Sequence, residues 1–140
     1  MGCKGGAIVY SFQYVRDKGV LTEKEYPYVG YRHQCLQEGG FKIKGYAELP
    51  KGDVAVLAEA LHIQPISVSI DATNWSLYSG GIFSNCEKNL NSAVLLVAYD
   101  DSCWTIKNSW GITWGEKGYM RLARGDTCWI AQWASYSLPL

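Results

Sequence analysis

Thiols and imidazoles are the side chains here with most to offer a reaction. The chain has five cysteines, at positions 3, 35, 86, 103 and 128, and two histidines, His33 and His62. A cysteine attacks as its thiolate, which a neighbouring imidazolium keeps ionised. His33-Gln34-Cys35 is the one close pair. It falls short of the clustered ligands a zinc site needs, so no metal and no cofactor are expected. His33 lies in a loop and His62 in a turn before the Pro65 strand, and both read as surface or capping residues. Ser92 has no base beside it in sequence and is not expected to act as a nucleophile. Five is an odd number, so at least one sulfur has no partner within these residues.

The elements that must carry these groups follow from periodicity. Ile8, Phe12 and Val15 stand at i, i+4 and i+7, one face of a helix that Lys18 and Gly19 would close. Thr22-Glu23-Lys24-Glu25 fits a capping box, but Pro27 limits it to a short turn. Asp53 is placed to cap a second helix through Val54, Leu57 and Leu61. Beyond Pro65 the period becomes two: Ile66, Val68 and Ile70 alternate with Ser67, Ser69 and Asp71, a strand with one buried face. Gly80-Gly81 marks a turn. The apolar run from Ala93 to Tyr99 predicts a buried strand, which Asp100-Asp101-Ser102 turns back into Cys103–Lys107. Gly118–Arg124 predicts a further strand. Helices first and antiparallel strands after them make an α+β fold.

Composition narrows the function. Thirteen basic and thirteen acidic residues cancel, which argues against nucleic acid or an anionic membrane as partner. No apolar run reaches the roughly 20 residues that span a bilayer. Met1-Gly2-Cys3-Lys4-Gly5-Gly6 has no apolar stretch and does not read as a signal peptide. At 140 residues the length suits about one domain.

Three stretches together resemble papain-family cysteine peptidases: Gly2-Cys3-Lys4-Gly5-Gly6 with its following helix, Glu25-Tyr26-Pro27-Tyr28, and Lys107-Asn108-Ser109-Trp110-Gly111-Ile112-Thr113-Trp114-Gly115-Glu116-Lys117-Gly118-Tyr119. Phe12-Gln13-Tyr14-Val15 points to the cathepsin L-like branch, and the likeness covers practically the whole chain. It implies a helical domain and a β-barrel domain with a cleft between them. Residues to about 50 would be the remainder of the helical domain, and about 51–140 mainly the barrel. Roughly the first third of a family domain, with the nucleophilic cysteine, is expected to be missing.

The resemblance also assigns roles. Asn108 matches the residue that orients the catalytic histidine, while the histidine position is occupied by Ser92. Gly5 and Gly6 match glycines whose backbone bonds an extended substrate. Ile8, Ser69, Asn91 and Ala93 match positions lining the main specificity pocket. Trp133 matches its floor; its indole either fills that space or turns into the barrel core. Trp110 matches the tryptophan that shields the Asn–His bond and, with no histidine, is expected to persist as core. Cys86 and Cys128 match a disulfide, Cys3 and Cys35 match half-cystines whose partners lie upstream, and Cys103 matches an apolar strand position, a buried free thiol. Ala98, Asp100 and Trp129 stand where the family favours glycine, so the local backbone is expected to drift.

Three readings follow: a peptidase homologue without activity, part of a longer endopeptidase, and an interaction module. A protein or peptide partner is expected at the cleft or on the helix face over 6–18. The family implies a lysosomal or extracellular, disulfide-forming setting.

Overall fold

The computed structural model describes residues 2–36 and 39–140; Met1, and whether it is the true start, lie outside them. The chain divides into two compact units, Met1–Ala47 with Ser137–Leu140, and Glu48–Tyr136.

In the first unit, helix α1 spans Ile8–Lys18. Gly19 closes it as the sequence predicts, at φ 82° with its N–H donating to the Val15 carbonyl at 3.1 Å. A Cβ at Gly19 would stand 2.7 Å from the Gly39 carbonyl oxygen, so glycine is required by both torsion and space. Phe12 stacks on Tyr46 with ring centres 5.8 Å apart, and Gln13 Nε2 donates to Tyr46 Oη at 3.0 Å. Yet no α1 residue is buried. Thr22 and Glu25 form the capping box: the Thr22 N–H donates to Glu25 Oε2 at 2.9 Å and the Glu25 N–H to Thr22 Oγ1 at 3.3 Å. It closes a turn that does not grow into a helix. Strand β1 is Gly45–Glu48.

The second unit opens on helix α2, Val54–Leu61, where the Asp53 carboxylate accepts from the Val56 N–H at 3.0 Å. Strands β2 (Ile66–Ile70), β3 (Ile82–Phe83), β4 (Ser92–Tyr99), β5 (Cys103–Lys107), β6 (Tyr119–Ala123) and β7 (Ala134–Leu138) follow. Their order across the sheet is β7-β2-β4-β5-β6-β3, and only β3, against β6, runs parallel. Ile66, Val68, Ile70, Leu96, Trp104 and Ile106 are wholly buried beneath α2 and the sheet. Burying them drives the assembly of this unit.

Strand β4 departs from expectation. Val94 and Leu96 are buried, but Ala93 and Ala98 are exposed. The run is apolar throughout while only one face is covered. A bulge between Leu96 and Ala98 shifts the register with β5. The turn after it forms as predicted, with Asp100 Oδ1 accepting from Ser102 N, Ser102 Oγ and Cys103 N at 2.6–2.9 Å. Those bonds hold the Asp100 carboxyl at about 2.

Cys86 and Cys128 form the disulfide the resemblance implied, with Cα atoms 5.0 Å apart. Closing a loop of 42 residues removes roughly 4 kcal/mol of unfolded-chain entropy in the chain-entropy view. Cys103 is a buried free thiol; Cys3 and Cys35 are exposed. Cys128 and Trp129 adopt φ 53° and 60°, the left-handed region glycine favours. Asp126 braces that turn, accepting from Ala131 N at 2.8 Å and Gln132 Nε2 at 2.5 Å. Trp129 therefore retains glycine-type torsions. Ala98 and Asp100 are not among the residues with positive φ.

Candidate functional site

Strand pairing gathers most of the singled-out residues in the second unit. Ser69 faces Ala93 and Ile70 faces Ser92 across β2 and β4. The Asn91 N–H donates to the Ile70 carbonyl at 3.1 Å. Its side chain is committed to structure, with Oδ1 accepting from Ala72 N and Nδ2 donating to Thr73 Oγ1, both at 2.9 Å. The Ser69 N–H donates to the Trp133 carbonyl at 2.9 Å. Trp133 does not enter the core: 48 % of it is exposed, and Lys51 Nζ stands 3.2 Å from the ring centre. A cation over the indole face holds the ring outward.

Asn108 follows β5 directly. Leu95 faces Lys107, so one further step of antiparallel register sets Asn108 opposite Val94. Alternation then puts Ser92, Val94 and Asn108 on one face of the sheet. The Asn108 N–H donates to the Gly118 carbonyl at 3.0 Å, and Oδ1 accepts from Ser109 N at 2.8 Å. Asn108 Nδ2 is buried and has no hydrogen-bond partner among the described residues. A buried amide donor left unpaired costs on the order of 1–3 kcal/mol.

Trp110 is 42 % exposed, not core. It stands edge-on to Trp114 at 5.1 Å and to Trp75 at 6.3 Å. The interior place belongs to Trp75, wholly buried, whose carbonyl accepts from Trp114 Nε1 at 3.1 Å. Trp110 forms the outer edge of that aromatic cluster.

The second unit's histidine does not join Asn108. His62 Nε2 lies 2.6 Å from Tyr99 Oη. Tyr99 ends β4 seven residues from Ser92, ~23 Å of extended strand. His33 belongs to the first unit, edge-on to Tyr26 at 5.0 Å and Tyr31 at 5.9 Å. Gly5, at φ 82°, Gly6 and the partly exposed Ile8 also lie in the first unit, at the approach to α1. Among the described residues, no group of three acidic, cysteine or histidine side chains is placed to hold a metal ion. No helix of those residues is long and apolar enough to cross a membrane.

One residue behind this face escaped the sequence reading. Asp71 is 1 % exposed. Its carboxylate accepts from Thr73 N at 3.0 Å, Thr73 Oγ1 at 2.6 Å and the Glu87 N–H. Burial pushes its carboxyl upward, but the bonds from Thr73, Glu87 and the Asn89 backbone outweigh that and hold it below the usual carboxylate range. Through Thr73 it supports Asn91, and its own N–H donates to Cys128 O at 2.9 Å. Strand alternation marked Asp71 as polar-facing, but the chain leaves the strand at Ile70 and the carboxylate turns inward.

Residues 1–138 match the papain family cysteine protease model. The chain belongs to the papain family. It is 40 % identical over 143 residues to cathepsin L 2 of Paramecium tetraurelia, covering 99 % of this chain and 44 % of that protein. A cathepsin L-like peptidase of Aedes aegypti is 41 % identical over 154 residues, covering 98 % and 45 %. The chain thus spans less than half the length of these relatives. Among solved structures, the bromelain protease of Ananas comosus, in complex with the E64 inhibitor, superposes with TM-score 0.92 at 34 % identity. That match covers 100 % of this chain and 73 % of the other. The Carica candamarcensis cysteine protease CMS1MS2, in complex with E-64, gives 0.91 at 33 %, covering 98 % and 70 %. The papain fold is α+β, as the helices and the mostly antiparallel sheet require.

Proposed function

We propose that this papain-family chain does not hydrolyse peptide bonds by thiolate–imidazolium chemistry and serves as a peptidase homologue without that activity. The carrying observation is the buried, unpartnered Nδ2 of Asn108 on the face that also holds Ser92. Among the described residues of the second unit, a side chain suited to orienting an imidazole has none beside it, and that unit's histidine is bonded to Tyr99 instead. Without an imidazole, the leaving amine has no acid and a thiol no base. Loss of one member of such a unit costs on the order of 10⁴–10⁶ in rate. The reading rests on residues inside the second unit.

The test is the protein as naturally expressed, with any flanking residues, incubated with a fluorogenic peptide and an epoxide active-site probe. No turnover above buffer is expected. Turnover that the probe abolishes would overturn the reading. The reverse experiment, Ser92→His, asks whether that one change restores cleavage.

An interaction role for the first unit is favoured by α1, which buries none of its residues and leaves Tyr10 62 % and Tyr14 46 % exposed. An apolar helix face of this kind suits a protein partner. Size-exclusion chromatography giving a soluble monomer at high concentration would count against it.

A further inference from the structure

We propose that Asn74 is an acceptor for an N-linked oligosaccharide, a modification independent of peptidase chemistry. Asn74-Trp75-Ser76 is the one Asn-x-Ser/Thr triplet in the 140 residues. Such a triplet means nothing when buried, and here the fold presents it outward. It lies in a turn closed by the Trp75 N–H to the Ala72 carbonyl at 3.1 Å and by the Tyr78 N–H to the Trp75 carbonyl at 3.0 Å. The middle residue turns in: Trp75 is wholly buried against Trp114. Its two neighbours turn the other way, leaving Ser76 exposed and Asn74 only partly covered. The folded unit therefore anchors the turn by Trp75 and leaves the acceptor amide at the surface.

That amide is lightly held. Asn74 Nδ2 donates to the Asn85 carbonyl at 3.3 Å and to Glu87 Oε1 at 3.5 Å, both at solvent-exposed positions. In the transfer, Nδ2 bonds to the anomeric carbon of an oligosaccharide carried on a lipid diphosphate. The carbon–oxygen bond to the phosphate breaks, the lipid diphosphate leaves with its electron pair, and one amide hydrogen departs as a proton. The remaining N–H can keep the bond to Asn85, so only the longer contact to Glu87 is given up. The compartment is consistent as well. The Cys86–Cys128 disulfide belongs to an oxidising lumen, where this transfer takes place.

The experiment translates the full chain behind a cleavable secretory leader with eukaryotic microsomes, and maps the peptides of the same chain expressed in cells. The expected result is one band shift removed by an N-glycan endoglycosidase. It should vanish in Asn74→Gln and Ser76→Ala and persist in Ser76→Thr. Peptide mapping should find the glycan at Asn74 in molecules that also contain the Cys86–Cys128 crosslink. A protease-protected, lumenal chain that remains unshifted would overturn the proposal. So would a glycan found only in molecules lacking that disulfide, since the folded unit could then not carry it.

Discussion

Replacing Asn108 with leucine should make the protein more stable, although it removes the residue the family uses to orient its histidine. Asn108 Nδ2 is buried without a partner among the described residues, a deficit of about 1–3 kcal/mol in the wild type. Leucine is close in size and carries no donor. What it forfeits is the 2.8 Å bond from Ser109 N to Oδ1, worth about 0.5–1.5 kcal/mol. Ser109 is exposed, so its N–H can turn to water and the loss sits at the low end. The balance is a gain of about 1 kcal/mol, or about 3 °C in Tm for a chain this long. All six tryptophans, from Trp75 to Trp133, lie in the second unit, so their fluorescence during urea unfolding reports that unit directly. With the disulfide intact, the midpoint should rise at unchanged slope. A loss of stability of 1 kcal/mol or more in Asn108→Leu would refute the reasoning, because it would mean the amide is well paired in solution.

Asp71→Asn should cost on the order of 3 kcal/mol, since the amide cannot accept every N–H now aimed at the carboxylate. Because the folded carboxyl is held low, its contribution is complete above the unfolded value near pH ~4 and is lost as pH falls through the folded one; acid unfolding curves should lose that component in the variant. Trp129→Gly should be more stable than Trp129→Ala by about 1 kcal/mol, because only glycine holds φ 60° freely; equal thermal midpoints would argue against strain at that turn. A thiol reagent should label two cysteines in the native protein, Cys3 and Cys35, and a third, Cys103, only after unfolding; three labelled at once would place Cys103 at the surface.

Local rules carried far in this sequence. The Asp53 cap, the Thr22–Glu25 box, the Gly19 stop and the alternation of β2 depend on neighbours within a few residues, and each forms as its pattern dictates. The disulfide was reachable only through family likeness, because five cysteines permit many pairings. Burial was the weak point. An unbroken apolar run over Ala93–Tyr99 cannot say which face its neighbours will cover, and a tryptophan is as ready for a surface as for a core. Trp110 and Trp133 took the surface while Trp75, unremarked in sequence, took the interior. Asp71 was hidden for a related reason: an acidic residue after an alternating strand reads as solvent-facing until its donors, up to 18 positions downstream, are folded around it.

The crosslink between Cys86 and Cys128 also fixes how the molecule can be stretched. It encloses β4, β5 and β6, three adjacent strands, within one covalent ring. A pull on the two chain ends can extend only the residues outside that ring, and the tension passes across a 5.0 Å gap between the two Cα atoms. The stretch spanning these 42 positions, ~150 Å of contour, is a hidden length. Only a reductant would release it, and the central hairpins would feel no load until then.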